Sequence, residues 1–178
     1  FLRNSFSRRI QRLSCTATAA KSLQVILRGQ TKSDTLLLFD LEIDGKKAGR
    51  LDFELFGEKA PKTVNNFLAL CSGEMKEISM VQGIINSQSK LWKWISGGDI
   101  VNSDGTGSLT VYEDGNLKTM DAEANDLSFS EPYLLAASAN DKGQVGSQFL
   151  ITLDELPALD YSKNTIFGRL LKGTRTIH

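Results

Sequence analysis

The sequence is poor in the residues on which most active sites depend. Its 178 residues hold one histidine, His178, at the last position. No interior imidazole is available as a general base, as the activator of a nucleophile or as a metal ligand. Two cysteines, Cys15 and Cys71, are too few for a zinc ribbon or a disulfide scaffold. Both read as free thiols, which suits a reducing compartment. No apolar run approaches the roughly 18 residues that mark a membrane-spanning helix, and no repeat of fixed period occurs. What is present is ordinary globular composition, 40% hydrophobic and 24% charged, in a chain long enough to bury a core without metals or disulfides.

The formal charge is zero, but it is unevenly placed. Arg3, Arg8, Arg9, Arg12, Lys21, Arg28 and Lys32 are the only charged side chains of residues 1–33, and every acid lies beyond them. On a helical wheel Leu2, Phe6, Ile10 and Leu13 share one stripe with Arg8, Arg9 and Arg12 on its flank. An acid-free, Arg- and Ser-rich amphipathic segment has the character of a mitochondrial transit peptide. A docking arm, a nucleic-acid-binding arm, a membrane-surface segment and a solvated tail are the competing readings. Residues 1–33 are therefore read as a basic extension and 34–178 as the folded domain. Mitochondrion is favoured over plastid because arginine dominates the arm and no lumenal apolar segment follows; plastid and cytosol are the alternatives.

Beyond the extension, TLLLFDLEI at 35–43 predicts a strand, and Asp44-Gly45 a hairpin turn. In 50–56, Leu51, Phe53 and Leu55 alternate with Asp52 and Glu54, which predicts its half-buried partner. Val64, Phe67, Leu68 and Cys71 recur at helical spacing after Pro61 and predict a helix over 63–71. Gly-punctuated strands are expected at 95–101, 108–112, 133–138, 148–153 and 165–171. Strands outnumber helices, so the expected class is mainly β, a closed or nearly closed antiparallel barrel with a helix or two.

Five strings then carry a family resemblance. FDLEIDGKKAGRLDFELFGEKAPKTVNNFLALCSGE (39–74), GGDIVNSDGTGS (97–108), EPYLLAASAN (131–140), GSQFLIT (146–152) and NTIFGRLLKG (164–173) occur in the order and spacing of a cyclophilin. The resemblance covers 35–173. It implies an eight-stranded antiparallel barrel with capping helices and, in active members, peptidyl-prolyl cis-trans isomerase activity. It also implies a second helix beginning near LKGTRTIH and a closing strand further on. As the chain ends at His178, that strand is expected to be missing from it.

Isomerisation breaks no covalent bond. It needs a twisted amide held tightly and a donor aimed at the charge exposed when resonance is lost. In cyclophilins an arginine is that donor, and aromatic side chains, Met, Gln and His shape the proline pocket. The resemblance puts Gln88 where the arginine belongs, and no arginine occurs between Arg50 and Arg169. The pocket positions carry Lys93, Trp94, Ser96, Leu150, Ala158 and, in place of histidine, Asn164. Only Ala139, Gln148 and Leu159 remain as a remnant groove. Lys90 and Lys93 are nearby cations, but lysine lacks the planar fork of a guanidinium.

Other features are weaker. Trp92 and Trp94, spaced for one strand face, predict either a core pair that fills the former pocket or an aromatic anchor at an interface. The acidic stretch from Glu113 to Glu131 lacks calcium-loop spacing and reads as solvated loop. The glycines of 97–98 and 105–107 do not open a helix in a βαβ unit, which disfavours nucleotide. Ser147 has no histidine to activate it and reads as structural. The expected function is a catalytically degenerate cyclophilin acting as a structural or accessory subunit of a larger mitochondrial assembly. Its partner contacts would run through Arg3, Arg8, Arg9, Arg12 and an exposed barrel edge. A weakly active isomerase and a non-catalytic peptide-binding module are the alternatives. No cofactor, metal, nucleic acid or transmembrane segment is expected.

Overall fold

The computed structural model describes residues 23–30, 35–43, 46–72, 93–102, 104–112 and 119–177. Arg3, Arg8, Arg9, Arg12, Gln88, Lys90, Trp92 and His178 lie outside them. The chain runs β1 (Leu23–Gln30), β2 (Thr35–Ile43), β3 (Lys46–Leu55), α1 (Pro61–Ser72), β4 (Trp94–Gly97), β5 (Met120–Asp121), β6 (Leu134–Ala137), β7 (Gln144–Val145) and β8 (Phe149–Thr152). A 3-10 turn over Pro157–Tyr161, β9 (Thr165–Lys172) and α2 (Thr174–Ile177) follow.

Seven strands form one sheet in the order β1-β2-β3-β9-β6-β8-β4, and β5 pairs with β7 separately. All the pairs are antiparallel. The alternation seen in the sequence sets the register. Phe39 faces Leu51 and Leu37 faces Phe53 across β2 and β3, which puts their apolar side chains on one face. That face joins Leu135 and Ala137 of β6, Phe149 and Ile151 of β8 and Phe167 of β9 in a single core. Five strands can share one interior only if the sheet curls around it. Val64, Phe67, Leu70 and Cys71 of α1 fill the same interior, and Phe67 meets Phe149 edge-on at 5.4 Å. Each such ring stabilises the fold by about 1.5–3 kcal/mol on leaving water.

Helix α1 begins at Pro61, where a missing N–H costs nothing. Its exposed amides are capped from a distance: Glu123 Oε1 accepts from Lys62 N, and Oε2 accepts from Thr63 N and Oγ1. Asn66, buried at 1% exposure, donates to the Gly146 carbonyl and accepts from Thr110 Oγ1 and Val111 N. This explains one departure from expectation. Residues 108–112 are not a strand, because Asn66 and Ser147 satisfy their backbone in place of a ladder. The strand expected at 95–101 ends at Gly97, since Gly98 takes a left-handed backbone, φ 89°.

Strand β1 is a third departure. It lies within the segment read as basic extension, yet pairs with β2 from Leu23↔Leu41 to Gln30↔Thr35. α2 packs on β3, and it starts where the resemblance implies a second helix. Among the described residues no helix is long and apolar enough to cross a membrane.

Candidate functional site

The loop from Asp99 to Gly107 is wound around one carboxylate. Asp99, 4% exposed, accepts from Val101 N and Asn102 N through Oδ1 and from Asp104 N, Gly105 N and Gly107 N through Oδ2. The loop is thereby rigid before any ligand meets it. Gln148, the residue before β8, then ties it to the sheet. Its Nε2 donates to the Gly105 carbonyl at 2.9 Å and the Gly107 carbonyl at 2.7 Å.

Between this loop and the segment 138–148 lies a cavity of about 500 Å³. Asn102, Thr106, Ser108 and Thr119 line it with Ser138, Ala139, Asn140, Gln144 and Gln148. Its opposite wall is held by Asn164 Oδ1, which accepts from Ala139 N, and by Asn140 Oδ1, which accepts from Gln144 N. None of the lining side chains is ionisable, so the cavity suits neutral hydrogen-bonding groups. Ser147 is fully buried and its Oγ accepts from Leu109 N, a structural use.

The positions read as a degenerate proline pocket fall elsewhere. Ser96 pairs with Leu150, Leu150 with Ala136, and Ala136 with Ile166, so all four share the sheet face opposite the main core. Leu150, 6% exposed, is packed with Phe129, Leu134, Leu156 and Ile166, and Leu159 lies against them. Leu150 and Leu159 are thus members of a second small core. The remnant groove is divided accordingly: Ala139 and Gln148 line the cavity, and Leu159 packs in the apolar cluster.

Trp94 lies on the same face as Ser96, two residues along the edge strand β4, and is 48% exposed. This corrects the expectation of a core tryptophan filling the pocket; the side chain is held at the surface. Lys93 and Ala158 are exposed. Tyr161, which ends the 3-10 turn, is 94% exposed and was not singled out from sequence. Nor were the lining residues Asn102, Thr106 and Gln144 named as site residues, although Asn102 and Thr106 lie within the family string at 97–108. Of the acidic stretch, Glu123 caps α1 and Asp126 pairs with Lys59 at 2.7 Å. Among the described residues no three His, Cys, Asp or Glu side chains converge as a metal site.

The comparisons with known proteins agree with this architecture. Residues 38–178 match the family described as Cyclophilin type peptidyl-prolyl cis-trans isomerase/CLD. Peptidyl-prolyl cis-trans isomerase D of Eremothecium gossypii is 36% identical over 150 residues, 78% of this chain and 38% of that protein. The chain therefore spans well under half the length of that curated relative. A crystal structure of a cyclophilin type isomerase from Cryptosporidium parvum superposes with a TM-score of 0.59 at 30% identity, covering 73% of this chain and 76% of the other. A second, determined in the presence of the dipeptide Ala-Pro, gives 0.59 at 32%, covering 73% and 77%. With 141 contiguous positions from 38 to 178 matched, this chain belongs to the cyclophilin type peptidyl-prolyl cis-trans isomerase family.

Proposed function

We propose that this chain is a cyclophilin without isomerase turnover, serving as a structural or accessory subunit of a larger mitochondrial assembly. The supply of guanidinium groups carries the reading. Between Arg50 and Arg169 the sequence has none. Arg50 donates to both carboxylate oxygens of Asp40, and Arg169 to Glu54, on strands β2, β3 and β9. Arg175 sits in α2, which packs on β3. In the sheet order β9 and β6 separate β3 from β8, which holds Leu150 and directly follows Gln148. Among the described residues, no guanidinium is therefore placed beside Leu150 and Gln148. Losing one such donor typically costs about 10²–10³ in rate.

The exposed Trp94 and the arginine-rich arm support a role in contacts. The test is twofold. Magnetisation-exchange spectroscopy on an X-Pro peptide with the full chain should give the uncatalysed rate. Gentle solubilisation of mitochondria should place the chain at high mass with a constant set of proteins. Migration as a single free chain overturns the subunit role. Catalysis that falls on Gln88→Ala overturns the loss of turnover.

A second reading, a weak isomerase, draws on the relatives: one is named an isomerase, and another was crystallised in the presence of Ala-Pro. It requires a rate above background from the unmodified chain.

A further inference from the structure

The family match begins at residue 38, but the sheet begins at Leu23. Strand β1 lies wholly before the matched region and still pairs in register with β2: Leu23 with Leu41, Val25 with Phe39, Ile26 with Leu38, Leu27 with Leu37. The ladder then slips by one residue, so that two residues of β1 stand against Leu36 before Gln30 meets Thr35. A bulge of this kind pins a register, because sliding the strand would misplace it.

Strand β2 shows why the pairing matters. Leu37 and Phe39 are buried in the main core, and Leu38, on the opposite face, is also buried at 4% exposure. The run Leu36–Phe39 is apolar on both faces, and with one edge unpaired it would expose a row of N–H and C=O groups along that sequence. Such an edge recruits strands from other chains.

We propose that this edge of β2 is a strand-acceptor site, filled in cis by Leu23–Gln30, so that the domain starts at Leu23 and not at residue 34. Only four residues, 31–34, join β1 to β2. That length is typical of a hairpin connection and favours a strand from the same chain over one from a neighbour. The basic extension is thereby divided. Arg3, Arg8, Arg9, Arg12 and Lys21 precede the strand, while Arg28 belongs to it. Processing or docking that uses the arm must spare everything from Leu23 onward.

The test compares the full chain with forms lacking residues 1–22 or 1–33, by thermal melting and by hydrogen exchange at the β2 amides. Removal of 1–22 should leave both unchanged. Removal of 1–33 should lower Tm by roughly 3 °C or more and speed β2 exchange about tenfold or more. A synthetic peptide of residues 21–33 should reverse both effects.

The shorter form is liable to aggregate, so two full-length variants decide independently. Consecutive residues of an edge strand point their N–H groups to opposite sides. Of Val25→Pro and Ile26→Pro, one should therefore lose stability and the other should stay close to the parent. Equal behaviour of the two overturns the proposal, as does a 1–33 deletion as stable as the full chain. A concentration-dependent dimer with exchanged β1 overturns the assignment in cis.

Discussion

Gln148 holds Gly107 through a side-chain amide that donates to its carbonyl at 2.7 Å, and the same nitrogen reaches the Gly105 carbonyl at 2.9 Å. One side chain thus joins the start of β8 to the loop folded around Asp99 and sets the width of the cavity between them. Gln148→Ala removes both bonds and leaves two carbonyls short of a donor, a loss of about 1–3 kcal/mol. Urea unfolding should show that loss. Hydrogen exchange should localise the loosening to residues 104–107, with α1 unaffected.

The cap on α1 comes from another part of the chain altogether. Glu123 lies sixty residues from Thr63, and its Oε2 accepts from both the Thr63 amide and hydroxyl. The negative charge also sits at the positive end of the helix. Glu123→Ala should cost about 1–2 kcal/mol, the range for a lost N-cap. Glu123→Gln keeps an acceptor and gives up the charge, so it should cost less. Equal losses in the two would assign the whole effect to the charge.

How much of this was legible in the sequence depends on which force decides each segment. Strand β2 was read with its true ends, Thr35 and Ile43, because its apolar run stops at a turn signal. β3 and α1 were legible for a like reason: Leu51, Phe53 and Leu55 alternate, and Val64, Phe67 and Cys71 recur at helical spacing, all into one core. Residues 108–112 look like a strand locally, but Asn66 takes their hydrogen bonds, and that competition is tertiary. β1 was hidden by the basic, acid-free character of its surroundings, where charge outweighed the short apolar alternation of LQVILRG. β5 and β7 are two residues each and leave no periodic trace. One wall of the cavity was reachable through Ala139 and Gln148; the loop that forms its other wall depends on Asp99 accepting five amides.

Tyr133 was also invisible to pattern. It is a bulky residue with φ 68°, in the left-handed region. Its amide donates to the Thr152 carbonyl and its own carbonyl accepts from Leu170 N, so strands on both sides fix that backbone. An L residue held there costs roughly 1–2 kcal/mol relative to glycine. Comparing Tyr133→Gly with Tyr133→Ala isolates that cost, since both lose the ring. The glycine variant should be the more stable by about 1 kcal/mol. Equal stability would mean that the backbone relaxes once the ring is gone.

Cys71 closes the inner face of α1 at 6% exposure, and burial in apolar surroundings pushes its thiol well above the ordinary range. The native state therefore keeps the proton after an unfolded thiol, with a pKa of about 8.5, has begun to lose it. Above that pH the unfolded chain binds fewer protons than the folded one, so stability must fall as pH rises. Thiolate is also the reactive form, and here it is both disfavoured and enclosed. An alkylating reagent at neutral pH should modify Cys71 only as fast as the domain opens, and the rate should climb with denaturant. Cys71→Ala should flatten the part of the alkaline decline that the thiol contributes. Labelling of Cys71 at a rate independent of urea would show that α1 leaves the core without global unfolding.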